Sequence, residues 1–306
     1  MTFRGVEMIN LKIPATSANL GAGFDCLGMA LDMYNEITIE TIEQGLEIIV
    51  PEQDRLLVES DQTNLVYMTM KQVADLTGNI LPGLRMIQSN GIPITRGLGS
   101  SAACIVGGVV AANLLLGKPL SQQEIITLTT EMDGHPDNVL PAMVGGMTVA
   151  CLEGHKVHYV RIEPPSPIKF AVMIPNFPLP TSLARKILPE SVSMKDAVFN
   201  ISRASLFIAS LLTGNFSNLW TATEDRLHQP YRKKLIPHWD EIIFTVQELG
   251  AKGVFLSGAG PTIIALLDHD YQRFQHEMAY LTSAFDEKWE VRIVDICYNG
   301  VQIINL

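Results

Sequence analysis

The chain has 306 residues, of which 47% are hydrophobic and 18% charged. The charged share is below the roughly 25% of average soluble domains and the apolar share is ample for a large core, which excludes an intrinsically disordered chain. Lysine and arginine number 22 against 32 aspartates and glutamates, a net charge of −10 without a long basic run, so neither nucleic acid nor an anionic membrane surface is an expected partner.

From the N-terminus to Pro14 the chain carries Arg4, Glu7 and Lys12 and no apolar h-region, so no signal peptide is expected. Four widely spaced cysteines (Cys26, Cys104, Cys151, Cys297) form no CxxC pair, which argues against a zinc site or a disulfide framework and fits a reducing, cytoplasmic compartment. Ile37, Ile39 and Thr41, then Leu46, Ile48 and Val50, alternate with other residues on either side of Gly45, which predicts a hairpin. Asn64 to Thr77 predicts a helix with Val66, Met70 and Val73 on one face and Gly78 as its stop, and Leu84 to Ile87 a short strand. Gly97 to Gly117 is uncharged and close to the length of a membrane span. Its glycines and Asn113 favour instead a helix, from about Ser101, at the centre of a soluble core. Ser121 with Glu124 forms a capping box for a helix to about Met132.

Pro164, Pro165 and Pro167 mark a boundary between about two domains, 1–165 and 166–306. Beyond it, Lys169 to Ile174 is a predicted strand. Asp196 to Leu212 is a helix with Ala197, Ile201, Ala204, Ile208 and Leu211 in one stripe, and His238 to Leu249 a second, closed by Gly250. Val254 to Ser257, Ile263 to Leu267 and Val291 to Ile296 are strands, with a helix from Tyr271 to Phe285. Without a regular βαβ repeat, the class is α+β.

Three small-residue segments carry the chemistry. Pro93 to Ala103 (PITRGLGSSAA) opens the uncharged helix. Its glycines let backbone N–H groups approach an anion, its serines add hydroxyls, and the helix start adds partial positive charge. The segment therefore suits phosphate, and a serine in it suits the oxygen shell of Mg²⁺; a capped core helix with a flexible entry loop is the plainer alternative. There is no Walker A loop, no GxGxxG between strand and helix, and no protein-kinase signature. Ser257 to Thr262 (SGAGPT), between two apolar strands, reads as a hairpin turn or as another close approach of backbone to a ligand. Pro14 to Asp25 (PATSANLGAGFD) follows a short strand and places Asn19 and Asp25 in a small-residue loop.

In this order and spacing the segments resemble the GHMP kinase family (kinases of galactose, homoserine, mevalonate and phosphomevalonate) over essentially the whole chain. The pattern PxxxGLGSSAA at Pro93 to Ala103 looks like the family's ATP-binding motif. The homoserine-phosphorylating branch is the nearest likeness, on PATSANLGAGFDCLGMAL (Pro14 to Leu31), EMDGHPDNVLPAMVGG (Glu131 to Gly146), PLPTSLARKILPESVSMKDAVFN (Pro178 to Asn200) and LHQPYRKKLIP (Leu227 to Pro237). The resemblance implies a two-domain α+β fold, with an N-terminal mixed α/β nucleotide-binding domain and a ferredoxin-like C-terminal domain. It also implies transfer of the ATP γ-phosphoryl group to the hydroxyl of L-homoserine, a step toward threonine, with ATP and Mg²⁺, and an enzyme that can be a homodimer. A mevalonate-like or sugar alcohol as acceptor, or a nucleotide sensor without turnover, are the competing readings.

Residue by residue, the resemblance assigns ATP to Pro93, Arg96, Gly97, Leu98, Gly99, Ser100, Ser101, Ala102, Ala103, Gly258 and Gly260. It assigns the amino acid to Asn19, Asp25, His135, Thr181, Arg185 and Arg232, and magnesium to Glu131 with Ser101 or Ser100. A guanidinium fits a carboxylate bidentately, and Asp25 suits an ammonium. Without the resemblance, Arg232 beside Lys233 and Lys234 would read as a solvated surface group. Mevalonate-kinase-like members carry a catalytic aspartate seven residues before a GG pair; ahead of Gly145 and Gly146, Asn138 stands there. An amide cannot act as a general base, so Asn138 is expected to orient the hydroxyl, while the side chain of Asp137 is expected to point elsewhere.

Overall fold

The computed structural model describes residues 8–164 and 168–305; the sequence-derived junction at 165–166 and residues Arg4 and Glu7 lie outside the described residues. The first sheet is built on a long antiparallel pair, β1 (Met8–Ala18) and β2 (Leu27–Ile42). Alternate residues Ile9, Leu11 and Ile13 of β1 and Ile37 and Ile39 of β2 are buried, as a half-covered sheet requires. Pro14 to Ala18 continue β1 past an irregularity after Pro14, so this stretch is strand rather than the expected loop.

The expected hairpin around Gly45 does not form. β3 (Leu46–Ile49) pairs in parallel with β4 (Gly83–Asn90), and β4 lies between it and β2. The connection instead crosses over the start of β4: a Cβ on Gly83 would come within 2.6 Å of the Gln44 backbone. The first part of β2 also pairs with β5 (Met147–Glu153), which pairs with β6 (Lys156–Ile162).

Helices α1 (Leu65–Leu76), α2 (Ser100–Leu115), α3 (Gln122–Asp133) and α4 (Pro136–Val144) belong to this half. Asn64 caps α1 by accepting from Val66 N (3.0 Å) and Tyr67 N (3.3 Å), and the Ser121–Glu124 capping box of α3 is present. The uncharged stretch is α2, buried on every side against the sheet and α1. At Gly108 a Cβ would stand 2.7 Å from the Val66 carbonyl, so glycine sets how closely α1 and α2 approach. Among the described residues no helix is long and apolar enough to cross a membrane.

The second half contains β7 (Lys169–Pro175), α5 (Thr181–Lys186), α6 (Met194–Thr213), α7 (Leu219–Ala222), α8 (Gln229–Arg232), α9 (Trp239–Glu248), β8 (Gly253–Leu256), β9 (Ile263–Leu267), α10 (Tyr271–Thr282) and β10 (Trp289–Val294). Its antiparallel sheet has the order β10-β7-β9-β8, the arrangement of a ferredoxin-like split βαβ fold. The molecule is thus the two-part α+β fold that the sequence implied. Two details differ. The buried face of α6 runs through Asn200, Phe207, Ser210 and Leu211, and Ile201 is 66% exposed. A polar residue turns inward because the Asn200 amide donates to Asp225 Oδ1 (2.6 Å) and the Ala22 carbonyl (3.1 Å). The other difference is β11 (Gln302–Asn305), which the division at 166 gives to the second domain but which pairs antiparallel with β1 in the first sheet.

Candidate active site

A cleft of about 710 Å³ is lined by all three small-residue segments, by α4 and by α5. At one end lies the start of α2. Gly99 caps this helix with φ 69°, and a side chain there would collide with Thr16 Oγ1. The first helical bond of α2 runs from Ala103 N to the Gly99 carbonyl (2.9 Å), so the N–H groups of Ser100, Ser101 and Ala102 precede the helical ladder at the positive end of the helix. Ser257 Oγ donates to the Gly97 carbonyl (2.6 Å), and Gly258 N donates to the Ala18 carbonyl (3.1 Å). The SGAGPT turn is both a β8–β9 hairpin and the backing of the glycine loop.

Not every residue of the motif reaches the cleft. Arg96, Gly97, Leu98, Gly99, Ser100, Ser101, Ala102 and Gly258 line it; Pro93, Ala103 and Gly260 do not. Ala103 is buried in the core of α2, and Gly260 packs behind Gly97. The Arg96 guanidinium is committed to carbonyls of Pro175 (2.8 Å), Ile94 (2.9 Å) and Asn176 (2.5 Å), so it ties the loop to the end of β7.

Polar side chains converge at the other end: Asn19, Asp25, His135, Asn138, Thr181, Arg185 and Arg232 all line the cleft. Arg185 binds both oxygens of Asp25 (Nη2–Oδ1 2.9 Å, Nη1–Oδ2 3.3 Å) and donates from Nη2 to His135 Nδ1 (3.2 Å). His135 Nε2 lies 3.5 Å from Asp25 Oδ2, and burial lowers the His135 pKa. Asn19 accepts from Asp25 N (3.0 Å) and donates to the Gly258 carbonyl (2.9 Å), joining two of the segments.

The surface reading of Arg232 is wrong: the side chain is 1% exposed. It donates from Nε to the Ala184 carbonyl (3.1 Å) and from Nη1 to the Gly258 carbonyl (2.9 Å) and His228 Nδ1 (3.2 Å). Burial lowers its pKa to about 10. His228 Nε2 donates to the Gly21 carbonyl (2.8 Å), which leaves Nδ1 to accept from Arg232. Phe24 stacks on His228 with ring centroids 5.3 Å apart, and the two guanidinium carbons of Arg185 and Arg232 lie 5.8 and 5.4 Å from its ring. Sequence reasoning missed Phe24, His228 and Asp225, whose carboxylate accepts from the His228 and Gln229 amides (2.8 and 2.6 Å).

Two further expectations need correction. The Asp137 side chain does not point away. It lines the cleft beside Asn138, whose Nδ2 donates to Asp137 Oδ1 (3.3 Å) while Thr16 Oγ1 donates to Asn138 Oδ1 (2.9 Å). Both residues fall in the first turn of α4, where the cleft wraps around the helix end. Burial, helped by Asp25 and Asp133, pushes Asp137 up to about 7. Glu131 is not in the cleft; its exposed carboxylate pairs with His155 (2.6 Å). Of the two acidic residues at this end of α3, the one on the cleft wall is Asp133, two positions further along and therefore on a different face of the helix, with a pKa raised by burial to about 6.

Comparison with known proteins follows the same outline. The GHMP kinases N terminal domain matches residues 64–146, and the GHMP kinases C terminal domain matches residues 207–280. A homoserine kinase of Petrotoga mobilis is 52% identical over 299 residues, 97% of each chain. The chain belongs to the GHMP kinase family. A second relative of this kinase, a homoserine kinase of Caldicellulosiruptor saccharolyticus, is 51% identical over 98% of this chain and 97% of its own. The crystal structure of a homoserine kinase from Cytophaga hutchinsonii superposes with a TM-score of 0.88 at 27% identity, covering 99% of this kinase and 100% of that chain. L. major mevalonate kinase in complex with R-mevalonate, at 15% identity and a TM-score of 0.74, covers 98% of this kinase and 99% of that chain, and shares the fold.

Proposed function

We propose that this GHMP kinase transfers the γ-phosphoryl group of ATP to the side-chain hydroxyl of L-homoserine, giving O-phospho-L-homoserine and ADP. The observation that carries the reading is one continuous cleft with two unlike ends: an anion cradle whose residues Gly97 to Ala103 contain no cationic side chain, and a pocket holding a carboxylate beside two guanidinium groups. The first end suits phosphates held by N–H groups and a helix dipole. The second suits an α-amino acid, with its ammonium at Asp25 and its carboxylate at Arg185 and Arg232.

Magnesium accompanies ATP in this reading, and the donors fit it: the Ser100 and Ser101 hydroxyls and the half-buried Asp133 carboxylate are hard oxygen ligands lining the same cleft. Burial has raised Asp133 without giving it a hydrogen-bond partner among the described residues, as a carboxylate that awaits a cation would be. Bound there, the ion supplies charge neutralisation on the phosphate oxygens.

Thr16 fixes the Asn138 amide with its oxygen turned toward Thr16, so the second N–H of Nδ2, beside the one given to Asp137, is the donor available to orient the hydroxyl. Positioning and electrostatics then carry most of the rate. A second reading has Asp137 take the hydroxyl proton, because a carboxylate near 7 is matched to proton transfer at neutral pH. Single-turnover ADP release from Asn138→Ala and Asp137→Asn separates the two. Loss on the order of 10³-fold in the chemical step of Asp137→Asn, with a milder effect of Asn138→Ala, would favour the aspartate. Comparing homoserine, mevalonate and galactose as acceptors tests the substrate.

The same proposal includes a cytoplasmic location, supported by four free cysteines. The family's homodimer and a division of the chain near 165 also belong to it.

A further inference from the structure

The chain supplies its own counter-ion to the arginine that the substrate carboxylate needs. Arg185 and Asp25 lie far apart in sequence, on α5 and on the loop after β1, yet they meet in two-pronged geometry inside the cleft. Each is only about a third exposed (36% and 29%), so the pair is held within the cleft wall rather than on the open surface. Arg232 cannot swing in to relieve it, because three acceptors fix that guanidinium. His135 adds a third contact to the same carboxylate.

We infer that Asp25 is a specificity gate: it occupies Arg185 until a ligand carrying both an ammonium and a carboxylate exchanges this internal ion pair for two new ones. The inference rests on the proposed amino-acid pocket and adds how that pocket selects. A zwitterion compensates both partners at once, the ammonium taking Asp25 and the carboxylate taking Arg185. A hydroxy acid without the amino group competes with Asp25 for the Arg185 Nη atoms, and a displaced Asp25 stands beside Asp137 and Asp133 with only the already committed Arg232 guanidinium near it. An unpaired, partly desolvated carboxylate is costly, so the pair repels single-charge ligands as well as attracting zwitterions.

The consequence differs from that of two independent binding groups. If Asp25 only bound the ammonium, its removal would leave a deaminated substrate unaffected. If it also withholds Arg185, its removal improves that substrate. Asp25→Asn is the appropriate change, since Asp25 sits at φ 56°, a left-handed conformation that asparagine adopts readily. Asp25→Gly, at ease in the same conformation, is the second variant should the first fold poorly.

The experiment measures kcat/KM by ADP release for L-homoserine and for 4-hydroxybutyrate, its deaminated analogue, in the wild type and both variants. The expected result is a fall for homoserine of roughly 10- to 100-fold, the range for losing a charged hydrogen bond. For 4-hydroxybutyrate a rise of about 5-fold is expected, the factor that a partly exposed ion pair withholds. A 4-hydroxybutyrate value that stays level or falls in both variants, with homoserine reduced, overturns the gate and leaves the substrate reading intact. Absence of homoserine turnover by the wild type would overturn both.

Discussion

Arg232 is a buried cation whose removal can be reckoned from its partners. In Arg232→Met the carbonyls of Ala184 and Gly258 and the Nδ1 atom of His228 each lose a charged donor. Three such losses are gross costs of roughly 5–9 kcal/mol. Against them stands the net unfavourable setting that the charge no longer suffers, desolvation first and then repulsion from Arg185: a drop from 12.5 to about 10 corresponds to about 3 kcal/mol. The net destabilisation is about 2–6 kcal/mol, a large part of a typical folding free energy. Urea unfolding, followed by tryptophan fluorescence, measures it as a lower midpoint. Arg232→Lys should recover only part of the loss, because an ammonium cannot reproduce the planar fork that serves three acceptors. In steady-state assays Arg232→Met should raise the KM for homoserine and leave that for ATP little changed. Unchanged urea midpoints together with an unchanged homoserine KM would refute the view that Arg232 is a locked element of the pocket.

Asp137→Asn should stabilise the protein above neutral pH. Its folded pKa of about 7 exceeds the ordinary 3.8, so the native state holds the proton more tightly and stability is lost as pH rises from about 4 to 7. At pH 8 the variant should therefore be more stable by on the order of 4 kcal/mol, with the difference vanishing below pH 4 in pH-dependent urea titrations. Gly99→Ala forces a side chain into Thr16 at φ 69°, and should lower kcat/KM for ATP by roughly 5- to 30-fold, the equivalent of about 1–2 kcal/mol of left-handed strain. Glu131→Gln should retain near wild-type turnover, because its carboxylate pairs with His155 outside the cleft, whereas Asp133→Asn should raise the Mg²⁺ concentration needed for half-maximal rate. Equal effects of these last two changes would return Glu131 to the site.

Local signals in the sequence were reliable where the cause was local. The Ser121–Glu124 box and the α1 face at Val66, Met70 and Val73 both depend on residues a few positions apart, and both are present. The phosphate end was legible because one contiguous motif builds it. The failures have non-local causes. β4 separates β2 from β3 although nothing near Gly45 announces it, since the choice of strand neighbour depends on a segment more than thirty residues away. Ile201 faces outward because Asn200 is wanted inside by Asp225 and Ala22. At Arg232 the neighbouring lysines alone would suggest a solvated face and only the resemblance pointed to the pocket, because its burial is provided by Ala184, Gly258 and His228 from three separate segments. Spacing alone could not choose between Glu131 and Asp133 at a helix end, and chain-neighbour logic failed for Asp137 and Asn138 because both can reach a cleft that surrounds the start of α4.

The strand at residues 302–305 has a bearing on how the molecule is made. It pairs Asn10 with Asn305, joining residues at nearly opposite ends of the sequence. During synthesis β1 can find β2 early, but its other edge stays open until residues 302–305 have been translated. An open strand edge is a template for unwanted pairing. Nascent chains stalled before residue 302 should therefore engage chaperones that recognise exposed edges, and completion of this short strand covers part of the β1 edge while tethering the ferredoxin-like half to the first sheet.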